Sequence, residues 1–180
     1  MDLETEKKLR EVTEWLTKEY SGIRTGQASV ALLDNVSVES YGARVPVQQV
    51  GSISIEDART LRIAPWDTGQ IVALEKAIQE ADLGVSIATD SAGVRVIFPE
   101  LTSERRVQLT KLAKSKLEDA RVSVKAIRDD LMKDIDKQFK NGDLGEDERF
   151  SLRDGVQEMV ENTNNKLEAL FVSKEKELEK

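Results

Sequence analysis

The sequence predicts an α+β protein: an elongated three-helix bundle with a small β/α/β sandwich-like domain inserted between helices 1 and 2. Three observations carry this. Long, highly charged runs at both ends of the chain repeat their apolar residues every three or four positions, the period of one helix face. The stretch from Val30 to Leu101 differs in texture, holding all three prolines and short alternating apolar runs. Finally, a lone amphipathic helix cannot bury its stripe, so the first run must pair with the two beyond Ser103. The bundle is therefore expected from residues 1–29 and 103–180, and the inserted domain from 30–102.

From Glu4 to Arg24, Leu9, Val12, Leu16, Tyr20 and Ile23 share a face, which Trp15 widens. The second long helix is expected from Ser103 to Lys140, with Ala113, Leu117, Ala120, Val124, Ile127, Leu131, Ile135 and Phe139 on its stripe. It contains no proline or glycine, and its 38 positions would span about 57 Å. Thr102 or Ser103 can cap its start, and "KNGDLG" from Lys140 to Gly145 reads as the break after it. A third helix follows from about Glu146, with Leu152, Val156, Met159, Leu167, Leu170 and Leu178 on one face, interrupted by Thr163 and Lys174.

In the middle, "VSVESY", "RVPVQQV", "SISI", "TLRIAP", "VSIAT" and "VRVIFP" read as strands bounded by turn residues. Gly42 with Ala43 is expected to turn one hairpin and Ala92 with Gly93 another, while Pro46 argues for an edge strand. One helix, about Thr68 to Leu83, turns Ile71, Leu74 and Ile78 inward and ends before Gly84.

The 180 residues suit one ordinary domain or two small ones. With 39% hydrophobic, 34% charged and only 4% aromatic residues, the chain is too apolar for disorder and too charged for a thick core. Cysteine and histidine are both absent. That removes disulfides, thiolate zinc sites, Cys or His nucleophiles and the usual general base near neutral pH. No spaced carboxylate cluster stands apart from helix-face charge and no GxxxxGK[ST] phosphate loop is present, so no catalytic residue, metal or cofactor is expected. The acidic start "MDLETEKKLREV" is neither a secretory signal nor a transit peptide, and no stretch reaches the length of a membrane span. A cytoplasmic protein is expected.

The chain must cross between the domains twice, near Ala28 to Ala31 and near Leu101 to Ser103, and paired short crossings are where a hinge forms. Gly26, Ala28 and Ser29 on one side, with Thr102 and Ser103 on the other, are the candidate hinge residues. "GIRTGQAS", Gly22 to Ser29, stands at the mouth of the first crossing. Locally, Gly26 reads as a helix end with a positive backbone angle and Arg24 as a cation favourable with the helix dipole.

The net charge of −7 is unevenly spread. Residues 103–140 hold 11 Lys/Arg against 7 Asp/Glu, so a basic helix lies within an acidic protein. Lys114, Arg121, Lys125 and Arg128 follow one another by seven, four and three and share a face beside the apolar seam. Such a stripe can reach phosphates. A solvated flank with salt bridges to Glu118 or Asp129 would use the same residues. No aromatic platform is interleaved, so a nucleic-acid partner would be met through backbone and shape.

Five stretches in register, "RTGQAS", "SIEDARTLRIAPWD", "DLGV", "LTSERRVQLTKLAK" and "ARVSVKAIRDD", resemble the ribosome recycling factor family over nearly the whole chain. The resemblance implies a translation factor, not an enzyme. It would enter the post-termination ribosome between the subunits and, with elongation factor G and GTP, separate them for a new round. It further implies a monomer without a membrane partner, whose bundle lies against large-subunit ribosomal RNA and whose smaller domain swings and meets elongation factor G. Carried over by position, the RNA-binding residues are Arg24, Arg106 and Arg128, with Arg121 and Lys125 alongside. The family's second arginine in the first motif is Gln27 here, and its "RNIRRD" pattern stands as "KAIRDD", with Lys125, Ala126 and Asp129 replacing Arg, Asn and Arg. Its "ISEDE"-like start of helix three is "LGEDE", which removes a side-chain cap at Gly145. A structural protein whose long helices pair with a partner helix, and a carboxylate metal hydrolase, are the readings from other classes.

Overall fold

The computed structural model describes residues 3–180, and its contacts divide the chain into two compact units. One comprises residues up to Tyr20 together with Val107–Glu179; the other is Ser21–Arg106.

The first unit is helical. Helix α1 spans Leu3–Ser21. The second long helix, Ser103–Asn141, begins in the other unit and supplies most of its length to this one; the third is Glu146–Glu179. With one short helix and one longer helix between, they are α4 and α5 in chain order. Leu9, Leu16 and Tyr20 of α1 are buried against Leu109, Ala113, Leu117, Ala120 and Val124 of α4 and Val156, Val160 and Leu167 of α5. Removing each large aliphatic side chain from water is worth about 1.5 to 3 kcal/mol.

Small residues of α4, Ala113 and Ala120, are fully buried in this core. The Tyr20 hydroxyl donates to the Ala113 carbonyl at 2.8 Å, and Lys116 pairs with Glu19 at 3.0 Å, which sets α1 antiparallel to α4. Trp15 stays at the margin of the face, 38% exposed, with the Lys116 ammonium 5.8 Å from its ring centroid. Helix α4 ends as a glycine-terminated helix should. Gly142 has φ +82, its N–H reaches the Phe139 carbonyl at 3.1 Å and the next N–H, of Asp143, reaches Gln138 at 3.0 Å. At the start of α5 the Gly145 N–H donates to Glu148 Oε2 at 2.9 Å, so half of a capping box survives without a side chain at position 145. Thr163 and Lys174, read as interruptions of the α5 stripe, are both 8% exposed and lie within it. The threonine satisfies its hydroxyl on the Met159 carbonyl at 2.8 Å, and the Lys174 ammonium reaches Glu177 at 3.4 Å.

The second unit is α+β. A hairpin of β1 (Ser37–Ser40) and β2 (Ala43–Pro46) precedes a four-stranded antiparallel sheet of order β3-β4-β6-β5, formed by Gly51–Asp57, Thr60–Pro65, Val94–Ile97 and Ser86–Thr89 respectively. Helix α3 (Ile71–Glu80) packs on β1, β5 and β6. Leu61, Ile63, Val94, Val96 and Phe98 from the sheet side meet Leu74 and Ile78 of α3 and Val36 and Val38 beside the hairpin in one core. Alternation places Arg62 and Arg95 on the other face, paired with Asp90 and Glu56, each at 2.8 Å. Asp90 also accepts the N–H groups of Ala92 and Gly93; the Arg62 hydrogen bond and those amides hold its carboxyl well below the usual carboxylate range.

Three local expectations need correction, and one further element was not foreseen. "RVPVQQV" is not one strand, because after Pro46 the chain makes a single helical turn, α2 (Val47–Val50), that buries Val47 and Val50. The first hairpin turns on Tyr41 and Gly42, both at positive φ, since Ser40 pairs with Ala43 in the ladder. Val30–Leu33 forms a 3-10 turn that no periodicity signalled. Helix α1 ends at Ser21, and Gly26 does not have a positive φ, so it is not the glycine that terminates it.

Burial and then the nearby Glu168 carboxylate push the Tyr20 phenol up to about 12 from its ordinary value near 10. Both folded and unfolded states hold the proton below about pH 10. Above that the unfolded state releases it first, so this contribution to stability is lost as pH rises from about 10 toward 12. Tyr20→Phe is expected to cost about 1 kcal/mol at pH 7 through its lost hydrogen bond, and to flatten the alkaline decline. Chemical denaturation of both proteins from pH 7 to 11.5 checks it.

Candidate nucleic-acid interface

The basic stripe lies on α4 where it runs beside α5. Arg121 donates to Glu118 one turn back at 2.9 Å and also pairs with Glu168 on α5. Arg128 donates through Nε to Gln157 on α5 at 3.0 Å and through Nη1 to Asp129 at 3.2 Å. Further along, Arg149 and Arg153 of α5 converge on Asp136 of α4 at 2.8 and 2.9 Å. Burial alone would raise the Asp136 carboxyl, but the two guanidinium groups outweigh it and hold it low. These contacts fix α4 and α5 antiparallel, with one flank of their seam laced by alternating charge.

Lys114 and Lys125 are exposed on the same helix. Arg121 and Arg128 keep 39% and 37% of their side-chain surface despite their partners. Both salt bridges of the solvated-flank reading, to Glu118 and to Asp129, are present. They do not decide the role of the stripe, because exposed pairs are worth only about 0.2 to 1 kcal/mol and exchange readily for a better anion.

Arg106 lies in the first turn of α4, half-buried, its N–H bonded to the Thr102 carbonyl. Thr102 is the cap expected for that helix, its hydroxyl accepting from the Arg105 N–H at 3.1 Å. Arg24 belongs to the other compact unit from Arg121, Lys125 and Arg128. It donates to the Pro99 carbonyl and lies over the Phe98 ring, 5.9 Å from its centroid.

The candidate hinge residues differ in how they are held. Gly26 would meet nothing within 4 Å if it carried a Cβ. The Ala28 N–H is bonded to the Ala58 carbonyl at 2.8 Å, Ser29 precedes the 3-10 turn, and Thr102 and Ser103 begin α4. Sequence reasoning passed over an exposed trio in the same unit: Tyr41, Trp66 and Val72, at 84%, 73% and 75% exposure. Trp66 precedes the Asp67 turn, where Asp67 accepts from the Tyr41 hydroxyl and from the Gly69 N–H. The available signal was the order Pro65-Trp66-Asp67, an aromatic between a strand-ending proline and a capping aspartate.

The sequence model of the ribosome recycling factor family matches residues 16–178. The chain belongs to the ribosome recycling factor family. Among similar ribosome-recycling factors, that of Bifidobacterium adolescentis is 43% identical over 163 residues, covering 90% of this chain and 89% of the relative. That of Enterococcus faecalis is 41% identical over 171 residues, 95% and 92% of the two chains. That of Rickettsia canadensis is 41% identical over 183, 99% and 98%. A solution structure of a ribosome recycling factor superposes with a TM-score of 0.78 at 34% identity, covering 98% of this chain and 94% of that one. A second, with a TM-score of 0.66 at 34% identity over 97% and 95% of the two chains, is the Thermus thermophilus ribosome recycling factor, described with Escherichia coli elongation factor G on the E. coli post-termination complex. Among the described residues, no helix is long and apolar enough to cross a membrane and no group of three or more metal-ligating side chains is placed to hold an ion.

Because Arg121 and Arg128 are anchored at the surface rather than in the core, Arg121→Ala and Arg128→Ala are each expected to lower stability by less than about 1 kcal/mol. Thermal unfolding beside the parent protein measures this.

Proposed function

We propose that the chain acts as a ribosome recycling factor, binding the post-termination ribosome between the subunits and, with elongation factor G and GTP, promoting their dissociation. The observation that carries this is the family match across residues 16–178, joined to a superposable factor described on a post-termination complex with elongation factor G. The factor works in the cytoplasm as a monomer and is not itself an enzyme. It occupies a site and transmits a push generated by the GTPase.

The face proposed to meet large-subunit RNA is the basic flank of α4. Lys125 is exposed there, Arg121 and Arg128 retain part of their surface, and Arg106 lies toward the start of the helix. Phosphate replaces their intramolecular acceptors. For Arg128 these are the neutral Gln157 amide, which a phosphate anion outcompetes, and the exposed Asp129 carboxylate, whose pair with it is weak in water. Contact to backbone rather than base edges suits a surface of guanidinium and ammonium groups without stacking rings. Gly26, Ala28, Ser29, Thr102 and Ser103 are proposed to allow the inserted unit to reorient while each unit stays folded.

Sedimentation with 70S ribosomes across a salt series tests the reading. Binding is expected to weaken steeply as salt rises. Arg128→Ala is expected to lose about 1 to 3 kcal/mol of affinity and to make the salt dependence shallower by about one phosphate contact. Asp129→Arg is expected to bind more tightly and steepen it. Parent-like binding by Arg128→Ala assigns this face to solvent, and salt-insensitive pelleting or concentration-dependent self-association supports a helix-pairing protein instead.

A further inference from the structure

We propose that Arg24 is a positioning residue for recycling, its guanidinium tying the segment that leaves α1 to the segment that enters α4 so that the two connections move as one piece. The tie itself is read from the geometry; its consequence for recycling rests on the function proposed above.

The two connections are held very differently. From Phe98 to Thr102 the chain is fastened almost residue by residue. The Phe98 N–H donates to the Arg59 carbonyl at 2.7 Å, Pro99 accepts from Arg24, and Glu100 pairs with Arg59 at 3.0 Å. Leu101 is buried, and Thr102 caps α4. The stretch from Gly22 to Gln27 has a local turn, in which the Gln27 N–H donates to the Thr25 hydroxyl at 3.3 Å, and open space at Gly26. Arg24 reaches out of this stretch to the other connection.

Three walls line the place it enters. One guanidinium nitrogen donates to the Pro99 carbonyl, and the guanidinium carbon stands 5.9 Å from the centroid of the Phe98 ring, a side chain only 1% exposed. The third wall is Gly84, just beyond α3, whose φ of +68 requires glycine; a Cβ there would stand 3.6 Å from Arg24 Nη1. The Arg24 Nε is buried with no acceptor. A donor left so is tolerated only where the remaining contacts of its side chain hold it in place. Burial, and then the nearby Arg105, lower the Arg24 pKa, as expected of a partly covered guanidinium beside a like charge. Lysine cannot copy this. It keeps the charge but lacks the several N–H groups by which a guanidinium donates to a carbonyl while its cationic centre stays near a ring.

Arg24→Lys and Arg24→Gln in the full chain separate a tie from a phosphate contact. Hydrogen exchange on the free protein is expected to show the Ala28 and Phe98 amides, which bond to Ala58 and Arg59, exchanging at least about tenfold faster in both variants, while α3 amides keep parent rates. In ribosome binding, the slope of log affinity against log salt is expected to stay parental for both variants. At saturating factor, subunit splitting with elongation factor G and GTP is expected to fall several-fold in both. Parental exchange at Ala28 and Phe98 overturns the tie. So does a salt slope reduced by about one in Arg24→Gln and restored in Arg24→Lys, which marks a phosphate contact. If Arg24→Gln fails to fold, Arg24→Lys decides by exchange and splitting: lysine keeps the charge, so a phosphate contact leaves both parental, whereas the tie predicts faster Ala28 and Phe98 exchange and reduced splitting. Parental splitting by a variant whose exchange has risen removes the role in recycling and leaves the tie purely structural.

Discussion

Everything in this molecule follows from one helix that cannot bury its own apolar stripe. Helix α1 has 19 residues and a polar back, and its partners α4 and α5 begin only at Ser103 and Glu146. An isolated helix of that length is marginal in water, so its stability comes from tertiary packing. The bundle therefore closes only if the intervening chain forms a unit that returns its ends to usable positions. The intervening unit does this with its own core, its own sheet and a last segment fastened down before α4 begins.

The same economy explains where the charge lies. A bundle with a thin stripe per helix leaves wide flanks, and here the flanks between α4 and α5 are laced by Arg121 with Glu168, Arg128 with Gln157 and Arg149 and Arg153 with Asp136. Individually such contacts add little stability. What they do is order: they hold long side chains in one place at the surface, in pairs weak enough to be exchanged at little cost.

The long helices were legible because a three-four period sustained over some forty positions has no other reading, and the sheet because alternation and prolines bound each strand. What escaped were elements of a single turn, α2 and the 3-10 turn at Val30–Leu33, which are too short to carry a period. The cations of α4 were legible as a face, since spacing along one helix fixes direction. Their acceptors on α5 were not, because Gln157 and Glu168 are tens of residues away and only packing chooses them. Arg24 is the clearest case. Its sequence position suggests a helix-end cation, yet its acceptor stands 75 residues on, at Pro99.

Lys174 and Thr163, two polar side chains within the buried stripe of α5, have a consequence of their own. A seam of uniform apolar residues can slide by a turn and repack at little loss, leaving several alignments close in energy. Lys174 ends its buried stem with an ammonium that needs Glu177 and the helix end, and Thr163 consumes its hydroxyl on its own backbone. A slipped alignment would carry the ammonium, together with its Glu177 partner on the same helix, under an apolar layer and away from water, where even a paired charge costs desolvation. Lys174, a residue that subtracts from burial, thus acts as an index mark, favouring the stagger that leaves its ammonium within reach of water and penalising the neighbours, while Thr163, satisfied on its own helix, costs the seam little in any of them.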